Sequence, residues 1–236
     1  MKNVPNIITC LNLFAGCLSC IMTLEYGNYT GAFLFIVLAA VFDFLDGFAA
    51  RLLKAYSPIG AQLDSLADVI SFGLAPGFVV YSFLTVSTSG MEIGSGLPYL
   101  AFLIPAFSAL RLAKFNIDTR QTSSFLGLPV PANGLFWAAL VPALTPLAES
   151  DKMLYSALFI LLIIVFCLLM VSELPMFSLK FKNYTWKDNR LPYLLILSAI
   201  ICVACFRLLG ISLTIIVYIL ISSTEYISKR NHAQKK

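Results

Sequence analysis

Charge is what this chain has least of: Asp, Glu, Lys and Arg make up 12% of its 236 residues, and histidine occurs once, as His232. With 59% hydrophobic residues and a mean hydropathy of +0.88, that scarcity excludes an ordinary soluble domain, in which about a quarter of residues are charged. A single histidine in a polar tail leaves no Ser-His-Asp triad and no imidazole-ligated metal centre. Six cysteines include the pairs Cys17/Cys20 and Cys202/Cys205. Both pairs sit in apolar sequence without the polar groups that orient metal-bound thiolates, so they read as small buried hydrophobes. No linker separates off a soluble domain. The net charge of +4 is spread through short loops and carries no nucleic-acid signature.

What is abundant is apolar sequence in runs of about 20 residues, the length that crosses a bilayer. Eight such runs are expected, near 5–24, 29–52, 59–85, 97–115, 130–148, 153–173, 191–208 and 210–227, the last two joined closely enough for a hairpin. The first carries only Lys2 ahead of it and is interrupted at Pro5-Asn6, which fits a span better than a cleaved leader. With the N-terminus in the cytoplasm, all of the sixteen Lys and Arg except Lys152 and Arg207 fall in cytoplasmic segments, as the positive-inside rule requires. The chain is therefore expected to be an all-α integral membrane protein of about eight helices, a single domain over 1–236, with both termini cytoplasmic. The stretch 180–190 reads either as a segment resting on anionic headgroups, with Tyr184 and Trp186 at the interface, or as an ordinary basic loop.

Against that background four acids stand out. Asp43, Asp46, Asp64 and Asp68 fall in two apolar runs on either side of a predicted cytoplasmic turn at Lys54 to Pro58. Asp43 and Asp46 are three residues apart, Asp64 and Asp68 four, so each pair shares a helix face. A carboxylate in hydrocarbon costs roughly 2.5–3.5 kcal/mol at a helix centre, so a cluster persists where something neutralises it. Oxygen ligands without His or Cys select a hard divalent cation, Mg2+ or Mn2+, which shares its shell with phosphates. Gly47, Ala50 and Gly60 would let a ligand approach the backbone, and Arg51 can brace an aspartate or contact a phosphate.

The eight residues Asp43, Asp46, Gly47, Ala50, Arg51, Gly60, Asp64 and Asp68 match every fixed position of the signature of the CDP-alcohol phosphotransferase family of membrane enzymes. Leu63 to Pro76, Pro5 to Thr9, Arg111 to Asn116 and Gly127 to Ala132 further resemble one branch, the membrane-bound phosphatidylserine synthases. The family core is expected over about 5–185. The resemblance implies transfer of a phosphatidyl group from CDP-diacylglycerol to L-serine, with CMP released, in a homodimer of the cytoplasmic membrane whose site faces the cytosol. It also implies that the four aspartates hold the divalent metal, that Asp68 is the general base, and that Asn6, Thr9, Gly47, Ala50, Arg51 and Gly60 form the CDP pocket.

Serine recognition is read from residue chemistry. Arg111 and Lys114, with Asn116 nearby, suit its carboxylate, and Glu173 suits its ammonium; the alternative is that Arg111 and Lys114 only anchor the helix end by snorkelling. The alternatives are another acceptor, glycerol phosphate or inositol phosphate, which needs a further basic cluster, and an ion-coupled transporter, which usually shows two related halves. Spans 5 to 8 carry no interior acid, and the aspartate pattern has no second copy.

Overall fold

The structure, a computed structural model, describes residues 3–89, 94–118, 125–177, 185 and 189–234. Tyr184 and Trp186 lie outside the described residues, as do Lys2, Arg120, Lys180, Lys182, Lys187, Lys235, Lys236 and the side chain of His232.

Local chemistry sets the helix boundaries. Helix α1 (Val4–Leu24) opens with Pro5 in its first turn, where a missing N–H costs nothing. Helix α2 (Tyr29–Leu52) is capped by Asn28, whose side chain accepts from the Gly31 N–H at 2.8 Å. Its far end turns over at Lys54, in the left-handed region at φ 50°. Helix α3 (Pro58–Asp68) then starts with Ser57 Oγ accepting from the Gly60 N–H at 3.0 Å. The break falls at Ser57-Pro58, where the sequence puts it.

Directly after Asp68 the helix widens into a π-helical segment (Val69–Leu74) before α4 (Ala75–Ser87). Pro76 supplies the reason: its ring excludes the Phe72 carbonyl from an ordinary α-turn, and the wider turn relieves the clash. The Ala75 N–H reaches back five residues to the Ile70 carbonyl.

A 3-10 stretch (Gly94–Phe102) leads into α5 (Leu103–Ile117), followed by α6 (Val130–Ala148) and α7 (Lys152–Val171). The centre is aromatic: Phe136 stacks on Phe166 with ring centroids 3.9 Å apart, and Phe83 on Phe159 at 4.3 Å, joining α4, α6 and α7. Two short strands, β1 (Phe125–Leu126) and β2 (Pro175–Met176), pair antiparallel and tie the approach to α6 to the exit from α7.

Among the described residues, seven segments are long and apolar enough to cross a membrane: Val4–Leu24, Tyr29–Leu52, Pro58–Ser87, Gly96–Ile117, Val130–Ala148, Lys152–Val171 and Leu208–Ser228. This is a multi-pass membrane architecture. The remaining expected span differs. Helix α8 (Arg190–Phe206) has 17 residues, about 25 Å at 1.5 Å per residue, at the lower limit of lengths that cross a hydrocarbon core of about 30 Å. Its end is fixed by Arg207, at φ 52°, which reverses the chain into α9 (Leu208–Gln234). A Cβ on Gly210 would lie 2.2 Å from the Cys202 carbonyl oxygen, so only glycine permits so close a hairpin.

Candidate active site

The acids gather where the C-terminal halves of α2 and α3 meet the N-terminal half of α1. Asp43, Asp64 and Asp68 each offer a carboxylate oxygen, and the three oxygens lie within 4.8 Å of one another. Asp64 Oδ1 and Asp68 Oδ1 are buried with no hydrogen-bond partner among the described residues. Three converging oxygens, two of them unpartnered, form an oxygen-only donor set into which a hard cation fits. Asp46 stands beside this group but is engaged separately: Thr9 Oγ1 donates to its Oδ2 at 2.6 Å, with the Pro5 carbonyl 3.0 Å from the same hydroxyl.

The expected CDP residues surround the same corner. Asn6 reaches α3 so closely that a Cβ on Gly60 would lie 3.0 Å from Asn6 Oδ1. Gly47 has nothing within 4 Å of the position its Cβ would take, so the surface beside Asp46 is open. Ala50 is half-buried and Arg51 exposed on the last turn of α2.

On the other side of Asp68 stands Arg111 from α5. Its side chain is buried, with Nε and Nη2 lacking hydrogen-bond partners among the described residues. The guanidinium carbon lies 5.3 Å from the Phe115 ring centroid and within electrostatic reach of Asp68. Arg111 also lines a cavity of about 360 Å3 with Lys114, Asp118, Ser172 and Glu173. Arg111, Lys114 and Glu173 thus line one cavity, while Asn116 lies outside its lining: its Nδ2 donates to Ser65 Oγ at 3.0 Å, tying α5 to α3 beside Asp64.

The cavity wall is held by Gly127, at φ 74°, whose N–H donates to the Leu174 carbonyl at 2.9 Å while Leu128 donates to the Leu169 carbonyl at 3.0 Å. A Cβ on Gly127 would lie 2.3 Å from the Met170 carbonyl oxygen. The chain's resemblance motif Gly127 to Ala132 is therefore a close approach of backbone to backbone.

Sequence reasoning did not single out Asn12. It is fully buried on α1, its carbonyl accepts from Ser71 Oγ at 3.0 Å, and its amide lies beside Asp68. The signal was available: Asn6, Thr9 and Asn12 are polar residues at three-residue intervals in an otherwise apolar span.

A family model described as CDP-alcohol phosphatidyltransferase matches residues 2–171, which include the four aspartates, Asn6, Thr9, Asn12, Arg51, Gly60 and Arg111 but stop short of Ser172 and Glu173. The chain belongs to that family. Among its relatives, the CDP-diacylglycerol–serine O-phosphatidyltransferase of Bacillus subtilis (strain 168) is 38% identical over 135 residues, covering 57% of this chain and 73% of the relative. The enzyme of the same name from Helicobacter pylori (strain 26695) is 33% identical over 188 residues, 77% of this chain and 74% of the relative. An archaetidylserine synthase of Methanothermobacter thermautotrophicus is 36% identical over 130 residues, 54% and 53% respectively. Helices α8 and α9 lie beyond the segment that the family model matches.

Proposed function

We propose that this protein transfers the phosphatidyl group of CDP-diacylglycerol to the hydroxyl of L-serine, giving phosphatidylserine and CMP, at the cytosolic face of the cytoplasmic membrane. The observation that carries the reading is the juxtaposition at Arg111: one buried guanidinium stands between a cluster of three carboxylates and a cavity bearing both signs of charge. Lys114 and Arg111 suit a carboxylate, Glu173 and Asp118 an ammonium, so the cavity fits a zwitterionic amino acid. A sugar or glycerol phosphate adds a dianion that these two acids would repel. The printed names of the relatives support the same acceptor.

In this reading Asp43, Asp64 and Asp68 hold a divalent cation, Mg2+ or Mn2+, with Asp46 at its margin steadied by Thr9. When bound, the cation offsets the charge of the diphosphate and of the departing CMP. Asn6, Thr9, Gly47, Ala50, Arg51 and Gly60 form the CDP pocket, with the open surface at Gly47 admitting the nucleotide and Arg51 meeting phosphate at the membrane edge. Arg111 fixes the serine carboxylate and so aims the hydroxyl at the carboxylate cluster. Asp68 takes the hydroxyl proton as the serine oxygen bonds to phosphorus and the bond from phosphorus to the CMP oxygen breaks. Burial excludes bulk water from Asp68, which is 7% exposed, and disfavours hydrolysis of the liponucleotide.

The site's helix ends would face the cytosol, where CDP and serine are supplied, while the acyl chains stay in lipid. An even number of crossings, with α8 as the short one, then places both termini inside, and we propose one domain over 1–236 acting as a homodimer. Thiol labelling of cysteines engineered at each terminus, from either side of sealed vesicles, tests the orientation. Protection of one terminus and labelling of the other would refute it. The reaction itself is tested with purified protein, CDP-diacylglycerol in mixed micelles and radiolabelled serine. Serine-dependent CMP release that stops with EDTA supports the assignment; release with glycerol 3-phosphate or inositol phosphate and none with serine refutes it.

A further inference from the structure

Helix α1 presents its polar residues as one stripe, Asn6, Thr9 and Asn12, ending at Gly16. Asn6 meets Gly60, Thr9 bonds Asp46, and Gly16 lets the π-helical segment approach until a Cβ there would lie 2.5 Å from Ser71 Oγ. Asn12 differs from its neighbours. It is 0% exposed, and neither Oδ1 nor Nδ2 has a hydrogen-bond partner among the described residues. A buried primary amide left unbonded is destabilising, so its presence calls for a purpose.

Geometry indicates one. The Asn12 carbonyl accepts from Ser71 Oγ at 3.0 Å, which locks this turn of α1 against the helix that carries Asp68 three residues earlier. The side-chain amide then lies beside the Asp68 carboxylate, within donor reach of it but beyond full hydrogen-bond distance, and Asp68 Oδ1 has no hydrogen-bond partner among the described residues. An amide N–H is a donor that a carboxylate can accept while its other oxygen is engaged elsewhere. Being neutral, it adds nothing to the repulsion within an acidic cluster.

We propose that Asn12 is a positioning residue for the transfer, its Nδ2–H holding the Asp68 carboxylate in the orientation from which it takes the serine hydroxyl proton. The inference rests on the assignment of Asp68 as base made above. The proton passes from serine oxygen to the Asp68 carboxylate; Asn12 keeps its own protons and acts only through Asp68.

The test uses the full chain with Asn12→Leu, close in volume but without a donor, and Asn12→Ser, smaller with a hydroxyl donor. Serine-dependent CMP release gives kcat and both KM values, and thermal unfolding is followed in parallel. Asn12→Leu is expected to lower kcat by roughly 10- to 100-fold while both KM values stay within about threefold. Its unfolding temperature should equal or exceed that of the wild type, because an unbonded amide has been removed. Asn12→Ser should recover part of the lost kcat. A kcat within about twofold of wild type in Asn12→Leu overturns the proposal, as does failure of both variants to fold, which would make Asn12 a packing residue. Wild-type protein that releases no CMP with serine would instead defeat the assignment of the reaction, and this inference with it.

Discussion

Replacing Asp64 by Asn should make the protein more stable without metal, insensitive to metal, and inactive. The magnitude follows from the geometry of the cluster. Carboxylate oxygens within 4.8 Å of one another repel by about 3.5 kcal/mol or more per ionised pair at an effective dielectric constant of about 20. Asp64 takes part in two of the three pairs, and the Asn side chain keeps its shape while removing both repulsions. A cation that binds the folded wild type, supplied at about 100 times its Kd, contributes about 2.7 kcal/mol. For a chain of this size that corresponds to an increase of about 5–10 °C in Tm. The assay is intrinsic fluorescence during heating in detergent, for which the fully buried Trp137 is a native reporter. Wild type should gain about 5–10 °C on addition of Mn2+. With all three acids ionised in the wild type, Asp64→Asn should start about 14–28 °C higher and gain less than about 2 °C, and its CMP release should fall by roughly a thousandfold or more. A variant that starts lower than wild type, or keeps the full Mn2+ gain, refutes the reasoning, because the three acids would then be held by something other than their mutual need for a cation.

Three further outcomes follow from individual contacts. Arg111→Ala and Lys114→Ala should raise the KM for serine more than the KM for CDP-diacylglycerol, and equal shifts in both would remove these residues from the acceptor cavity. Thr9→Val deletes the 2.6 Å bond to Asp46, and at about 1.5–3 kcal/mol for a hydrogen bond to a charged group it should lower kcat/KM for CDP-diacylglycerol by about 10- to 100-fold; unchanged kinetics would show that Asp46 needs no anchoring. Gly127→Ala places a Cβ against the Met170 carbonyl and strains a left-handed residue, so it should destabilise by about 2–4 kcal/mol and raise the serine KM. A Tm equal to wild type would contradict the close approach.

Much of this was readable from the chain because a membrane removes alternatives. Apolar runs of spanning length locate helices well, and Ser57-Pro58 marks a turn whose capping bond is then found in place. The intervals between the aspartates put Asp64 and Asp68 on the face that meets Asp43. What periodicity could not convey was departure from the α-helix. The π-helical segment stems from Pro76, a single residue whose effect falls one turn upstream of it. The shortness of α8 comes from Arg207 adopting a left-handed conformation, which its residue type does not announce. The separate engagement of Asp46 depends on Thr9 of another helix, and the amide of Asn12 matters only because Ser71 brings α1 and the Asp68 helix into register. Contacts between helices of this kind depend on interaxial rotation, and spacing along one helix does not determine it.

The most direct test of the central claim is an anomalous difference map from crystals grown with Mn2+ and a CDP-containing liponucleotide. A manganese peak ligated by carboxylate oxygens of Asp43, Asp64 and Asp68, in contact with the diphosphate, is the predicted result. Density for the nucleotide at this corner with no manganese among the three aspartates would contradict it.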